Sequence, residues 1–349
     1  MNMRRLALAV FAFFFFATAL VLWRLEDHDL ERRMSAPFSF ATGDNRLSGT
    51  VWLPDGDPIA AVVLVHGDGP QDRTLHGGYP PLVNLLLDHG IAVASWDKPG
   101  VGASSGNWLD QTMTDRADEA RAALNALAIM VPGDVPRGAI GFSQAGWVLP
   151  KLSAKDTDFI VLIGPAVSWE QQGRFYHQLE LAGESEARIV QALAHDAEQN
   201  ERLFGANARF DAAASDGMSR DRWEFGRLNH LADATRDLST LDVPTLALWG
   251  QNDLNVDAVT DAAIYRTLLL ERHPANRIMV IPDATHGLLK AEPYNYQLVS
   301  QWPLWVLARF VIEGRFAYAP GALDAITGFI EQGHIVGHGP ANGAAPNRK

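Results

Sequence analysis

Three residues of this chain have the types and placement that acyl transfer needs: Ser143, Asp253 and His286. A serine hydroxyl alone is a weak nucleophile. It requires a base to take its proton, an acid to hold that base, and N–H donors for the negative charge that forms on the attacked carbonyl. Ser143 lies in Gly138-Ala139-Ile140-Gly141-Phe142-Ser143-Gln144-Ala145-Gly146-Trp147. A short apolar run leads into a serine flanked by small residues, and a more helical run follows, the pattern of strand, sharp turn and helix. Small residues two before and two after the serine relieve crowding at such a turn. Gly141 and Ala145 hold those places, with Ala145 where glycine is usual. The literal G-x-S-x-G string falls elsewhere, at Gly102-Ala103-Ser104-Ser105-Gly106. No strand runs directly into Ser104 and no helix pattern follows it, so Ser143 is the expected nucleophile.

The acid is sought at the end of a later strand and the base beyond the last strand. Thr245-Leu246-Ala247-Leu248-Trp249-Gly250-Gln251-Asn252-Asp253 places Asp253 in a loop at a strand's carboxyl end, where open α/β sheets build their sites. The competing reading makes Asp253 a cap for the next helix. Asp257 is the second candidate acid. Ile278-Met279-Val280-Ile281-Pro282-Asp283-Ala284-Thr285-His286-Gly287 gives His286 the position after the last strand, and of the eleven histidines it alone has that position. His273, before Pro274, reads as a surface turn. His334 and His338 are four apart but lie in a Gly-rich tail without the helical support a metal pair needs.

The turn His66-Gly67-Asp68-Gly69 supplies the remaining part. Glycines there let backbone N–H groups face a developing charge. The Asp68 and Gln144 N–H groups are the expected oxyanion pair, although a plain tight turn accounts for Gly67 and Gly69 equally well. His66 reads as a loop anchor. Asp97-Lys98-Pro99-Gly100-Val101-Gly102 has neither of the glycine spacings that cradle phosphates, so nucleotide binding is not expected.

Placing these residues requires strands that end on one edge. Phe38 to Thr42 and Leu47 to Leu53 alternate as antiparallel edge strands do. Ala60 to Val65, Ile91 to Trp96, Gly138 to Phe142, Phe159 to Ile163, Thr245 to Trp249 and Ile278 to Ile281 read as buried strands, with helices expected over Pro81 to Asp88, Asp115 to Met130 and Tyr296 to Ile312. Strands alternating with helices predict a mostly parallel sheet covered on both faces. Pro150 should kink or shorten the helix after Ser143. About eighty residues separate the strand ending at Ile163 from that starting at Thr245, too many for a simple crossover. Helices over Glu170 to Leu181, Glu186 to Leu203 and Asp221 to Ala232 are read there as an inserted cap. A short helix is expected over Ala322 to Gln332.

The bulk properties narrow the function classes. An apolar fraction of 47% supports a packed core rather than disorder. A net charge of −12 without any basic run argues against a nucleic-acid partner. The absence of cysteine excludes disulfides, thiolate metal sites and cysteine nucleophiles. At the N-terminus a short basic stretch, 1–5, precedes the uncharged run 6–23, whose eighteen residues at ~1.5 Å each match a bilayer core of roughly 27 Å. The expected reading is a signal anchor with the catalytic body on the exported, periplasmic side; a cleaved signal peptide and secretion are the alternative. Residues 24–37 are expected as a spacer, 38–167 and 241–332 as the catalytic domain, 168–240 as the cap, and 333–349 as a disordered tail.

The chain resembles the α/β-hydrolase family over roughly residues 38–332. The H-G-x-G turn at His66, the D-x-x-G-x-G-x-S turn at Asp97, the G-x-S-x-A elbow at Ser143, G-x-x-D at Asp253 and T-H-G at His286 carry the resemblance. Around His66 and Ser143 it is similar to bacterial esterases, acyl thioesterases and dienelactone-hydrolase-like proteins. The resemblance implies an α/β-hydrolase fold, a Ser143–His286–Asp253 triad, and no metal or organic cofactor. Two positions depart from the pattern: Ala145 in the elbow, and Pro99 where related chains often carry arginine. The expected function is hydrolysis of a small carboxylic ester or thioester through an acyl-enzyme. A peptidase on the same triad, or a non-catalytic binding module, are the alternatives.

Overall fold

A computed structural model of the chain describes residues 3–213 and 217–337, with the side chains of 3–10, 17 and 333–337 left out. Eight strands form one sheet: β1 (Met34–Thr42), β2 (Asn45–Leu53), β3 (Ala60–Val65), β4 (Ile91–Trp96), β5 (Arg137–Phe142), β6 (Phe159–Ile163), β7 (Thr245–Gly250) and β8 (Arg277–Ile281). Their spatial order is β1-β2-β4-β3-β5-β6-β7-β8. β1 and β2 are antiparallel, β2 runs antiparallel to β4, and the rest are parallel. This is the α/β-hydrolase fold that the alternation of strands and helices predicts. The parallel strands β3, β4, β6 and β7 are buried along their whole length, as strands covered on both faces must be.

The helices are α1 (Met3–Leu25), α2 (Pro80–Asp88), α3 (Met113–Met130), α4 (Trp169–Glu180), α5 (Glu186–Phe204), α6 (Arg220–Asn229), α7 (Thr235–Thr240), α8 (Ala258–Leu269), α9 (Ala291–Tyr294), α10 (Leu304–Glu313) and α11 (Ala322–Gly337). One face of the sheet packs on α3 and α8 through Ala117, Ala120, Leu124, Ala262 and Leu269. The other packs on α2 and α11 through Leu82, Leu86, Ile326 and Ile330. α3 begins with a capping box, Thr112 and Asp115 satisfying each other's free N–H groups.

Three expectations change. The closing helix begins at Leu304, not Tyr296, because Pro303 takes its N-cap and Trp302, before a proline, stays extended. Residues 26–33 are no loose spacer. Asp27 is buried against Arg315, with Nε–Oδ1 at 2.7 Å, and Arg33 bonds Asn84 at 2.6 Å and Asp88 at 2.5 Å. Helix α11 runs to Gly337, past the expected start of the tail at 333; residues 338–349, His338 among them, lie outside the described residues.

Among the described residues no helix is long and apolar enough to cross a membrane. Part of the expected span, residues 6–10 and 17, falls where side chains are not described.

Candidate active site

Ser143 caps β5 with φ +50°, a left-handed conformation uncommon outside glycine. Such strain is a local cost that the surrounding structure has to hold in place. Gly141 explains how. A Cβ added there would lie 2.8 Å from the Ala145 methyl and 2.6 Å from Leu149 Cδ1. The methyl of Ala145, where glycine is usual, thus occupies space that Gly141 leaves open. Gly146 permits the close approach of Pro165 in the same way. After the serine the chain forms two 3₁₀ turns, Ser143–Trp147 and Leu149–Lys151, rather than a helix. Pro150 lacks the N–H a longer helix would use.

His286 and Asp253 come from the loops after β8 and β7. His286 Nδ1 stands 2.7 Å from Asp253 Oδ2. Asp253 Oδ1 accepts from the N–H groups of Asn255, at 2.7 Å, and Val256, at 3.0 Å. Three hydrogen bonds thus hold this fully buried carboxylate, and the histidine Nδ1 is fixed as the donor. Burial pushes the imidazole pKa down, but the charge and hydrogen bond of Asp253 push harder the other way, leaving it above its ordinary value of 6.5. Asp257 does what the competing reading assigned to Asp253: its Oδ1 caps α8 by accepting from Val259 and Thr260.

The imidazole lies over Gly164, whose added Cβ would fall 2.8 Å from His286 Cε1. Gly164 directly follows Ile163, the register partner of Phe142 across β5 and β6, so Ser143 and Gly164 are neighbours at the sheet's carboxyl edge. This brings the serine and the histidine to one place. No hydrogen bond joins Ser143 to His286 among the described residues, and such contacts commonly tighten only with substrate bound.

The turn after β3 completes the cluster. A Cβ on Gly67 would lie 3.3 Å from Ser143 Cβ, so the turn lies directly against the serine. The Gln144 side chain is held by Arg116 Nη1 at 2.5 Å and reaches Asp68 Oδ1 at 3.2 Å. Arg222 of α6 donates to both Asp68 oxygens, at 3.1 and 2.9 Å. Burial raises the Asp68 pKa; the Arg222 guanidinium, with the Lys98 charge and the Gly69 N–H, outweighs it, and the carboxyl stays below its usual range. No motif in the sequence gives Arg222, Arg116 or Lys98 a role at the site. Their partners lie far away along the chain, and each cation sits among other charged residues that do not single it out.

His66 is the loop anchor. Its Nε2–H donates to the Trp96 carbonyl at 2.6 Å and its Nδ1 accepts from the Tyr79 hydroxyl at 3.1 Å. Burial holds its pKa down at about 3, so it stays neutral. Ser104, the literal motif match, is structural. Its hydroxyl donates to the Asp97 carbonyl at 2.7 Å and accepts from Ser48 N–H at 2.9 Å.

A family profile described as serine aminopeptidase, S33, matches residues 56–293, which include the serine, the turn, the acid and the histidine. The chain belongs to the S33 family of hydrolases. No curated protein sequence matches this S33 chain. In solved structures its fold is similar to an esterase of Pyrococcus furiosus, with TM-score 0.54 and 16% identity over 81% of this chain and 91% of that one. It is also similar to a proline iminopeptidase of Mycobacterium smegmatis, with TM-score 0.52 and 16% identity over 86% and 99%. A third similarity is to an acylaminoacyl peptidase of Pyrococcus horikoshii, with TM-score 0.51 and 12% identity over 86% and 42%. At these identities the likeness is one of fold, shared by esterases and peptidases alike.

Proposed function

We propose that the S33-family chain hydrolyses small carboxylic esters or thioesters through an acyl-enzyme on Ser143. The observation that carries the reading is the 2.7 Å His286–Asp253 pair standing at the same sheet edge as a serine in a left-handed turn. His286 Nε2 takes the Ser143 proton as Oγ bonds to the carbonyl carbon. The Asp68 and Gln144 N–H groups receive the oxyanion, and His286 returns the proton to the departing alcohol or thiol. Water then repeats the sequence and frees the acid.

Two features favour a neutral acyl substrate over an N-terminal peptide. An aminopeptidase needs a free carboxylate for the substrate's ammonium, and Asp68, in the turn against Ser143, has both oxygens engaged by Arg222. Helices α4–α7 leave the sheet between β6 and β7, the edge where Ser143 lies, and are read as a cap. Helix α4 is tied to the loop behind the acid, Tyr176 to Asn255 Oδ1 at 3.3 Å and Gln172 to its carbonyl at 3.1 Å. Phe175 and Tyr176 of this helix are half-buried. The peptidase reading keeps support from the family description and from the two peptidases among the structural neighbours named above.

The kinetic comparison is acetyl and butyryl aryl esters, a palmitoyl ester, aminoacyl-nitroanilides and casein. Cleavage of the short esters with the highest kcat/KM is expected. Preference for an aminoacyl-nitroanilide, or for casein, would replace the esterase reading with the peptidase one.

For location, we propose that α1 holds the body at a membrane on the exported side. Phe11, Phe13, Phe14, Phe15, Phe16 and Trp23 are more than half exposed, a set of side chains that water disfavours. Helix α10, which α1 contacts, also exposes Leu304 and Trp305, at 87% and 57%. Trp23 and Arg24, at the end of α1, pack on Phe316 just beyond α10 and are of the types that sit at a membrane interface. Flotation of the full chain with phosphatidylcholine and phosphatidylglycerol vesicles is the expected result; full chain left at the bottom of the gradient contradicts it.

A further inference from the structure

Two buried cations lie behind the turn that faces Ser143. Lys98, just after β4, is 1% exposed, and Arg116 of α3 is 3% exposed. Neither forms an ion pair among the described residues. Lys98 Nζ donates to the Gly67 carbonyl at 3.1 Å and stands 4.5 Å from the centre of the Trp108 ring. Arg116 Nη2 donates to the His66 carbonyl at 2.5 Å. The nearby Glu119 carboxylate is engaged elsewhere, by Trp96 Nε1 at 2.7 Å and Gln111 Nε2 at 2.6 Å. Stripping a lysine of water is costly, and a neutral donor would tie one carbonyl at far lower cost. A charge kept there calls for a use that depends on charge.

The placement supplies one. The carbonyl of Gly67 and the N–H of Asp68 belong to the same planar peptide unit and point in opposite directions. A cation on the oxygen side therefore draws electron density through the amide and strengthens the N–H on the other side. That N–H is the proposed oxyanion donor. Low local polarity makes such a field stronger than it would be in water, and the field stands ready before the reaction begins.

We propose that Lys98 is a positioning residue for the oxyanion: its ammonium, bonded to the Gly67 carbonyl, orients and polarises the peptide whose Asp68 N–H receives the charge developing on the substrate. The proposal rests on acyl transfer at Ser143. Arg116, on the preceding carbonyl and on Gln144, braces the same turn. Burial lowers the Lys98 pKa well below its ordinary value. Arg116 and Arg222 push it further down, while Asp68 and Glu119 push it up. Raising the pH through this pKa removes the charge, so the field has an upper pH limit.

The test compares full-length wild type, Lys98→Met and Lys98→Arg on an acetyl ester, with inhibition by an alkyl trifluoromethyl ketone. That ketone reacts as the substrate does: Ser143 Oγ bonds to its carbonyl carbon, the serine proton passes to His286, and the carbonyl oxygen becomes an anion in the hole. Deleting an oxyanion donor outright costs about 10²–10³ in kcat. Losing the charge behind one should cost about 10–100-fold in kcat with KM within about twofold. The ketone's Ki should rise by the same factor, and Lys98→Arg should retain most of the rate. The wild-type kcat should also fall as pH rises through the Lys98 pKa, and that limb should move up in Lys98→Arg. Unchanged kcat in a folded Lys98→Met, or a rate loss the ketone's Ki does not follow, overturns the proposal. If Lys98→Met does not fold, the limb decides: displaced in Lys98→Arg it supports the proposal, unmoved it overturns it. A wild type that a fluorophosphonate does not label at Ser143 removes the underlying reading instead, so the two failures are told apart.

Discussion

At the scale of single residues, the account turns on what Asp253 does for His286. As the proposed base, His286 must be neutral to accept a proton, and its pKa is raised. Activity should therefore fall as pH drops, with a midpoint above the ordinary histidine value of 6.5. Asp253→Asn removes the group that raises that pKa and leaves burial, which lowers it. The residual activity, reduced by up to ~10⁴-fold, should have its acid limb shifted to lower pH. Asp257→Asn should leave the limb in place and change stability little, because asparagine caps a helix about as well as aspartate. A pH–rate profile of both variants checks this, and an unmoved limb in Asp253→Asn contradicts the pairing. Legibility at this scale was uneven. Ser143, Asp253 and His286 could be picked out because each follows a strand that announces itself by an apolar run. Arg222, Arg116 and Lys98 could not, since a cation's partner depends on which distant loops the sheet order brings together.

Among the elements, the elbow is the most demanding. Gly141, Ala145 and Leu149 fill one small volume behind Ser143. Gly141→Ala should destabilise the fold by about 1–3 kcal/mol through overcrowding. Adding Ala145→Gly should recover part of that loss, because one of the two clashing groups is then gone. Denaturant unfolding of the single and double variants measures the coupling; additive effects would show that the two methyls do not share the space. The strands were readable from period and β-branched content, and Pro150 foretold the broken helix after the serine. The start of α10 was misread because an apolar run extends on both sides of Pro303 and periodicity alone does not mark where the backbone turns.

For the whole molecule, the N-terminal segment divides at a place the sequence does not mark. Residues 26–33 carry charges at a density typical of a linker, yet Asp27 and Arg33 are satisfied by Arg315, Asn84 and Asp88, up to 288 residues away. Removing residues 1–23 should leave a folded, active protein. Removing 1–33 strips the partners of Arg315 and Asn84 and should lower the thermal midpoint by several degrees, as a loss of about 1–2 kcal/mol does in a domain of this size. Thermal unfolding of the two truncations separates these outcomes, and equal midpoints would mean that 24–33 is a spacer after all.

The most direct measurement concerns the nucleophile. Full-length protein is treated with a fluorophosphonate, digested, and the modified peptide sequenced by mass spectrometry, alongside Ser143→Ala and Ser104→Ala. The account predicts label on Ser143 in the wild type and in Ser104→Ala, none in Ser143→Ala, and loss of turnover on the order of 10⁴-fold or more in Ser143→Ala alone. Label on Ser104, or turnover that survives Ser143→Ala, would contradict it.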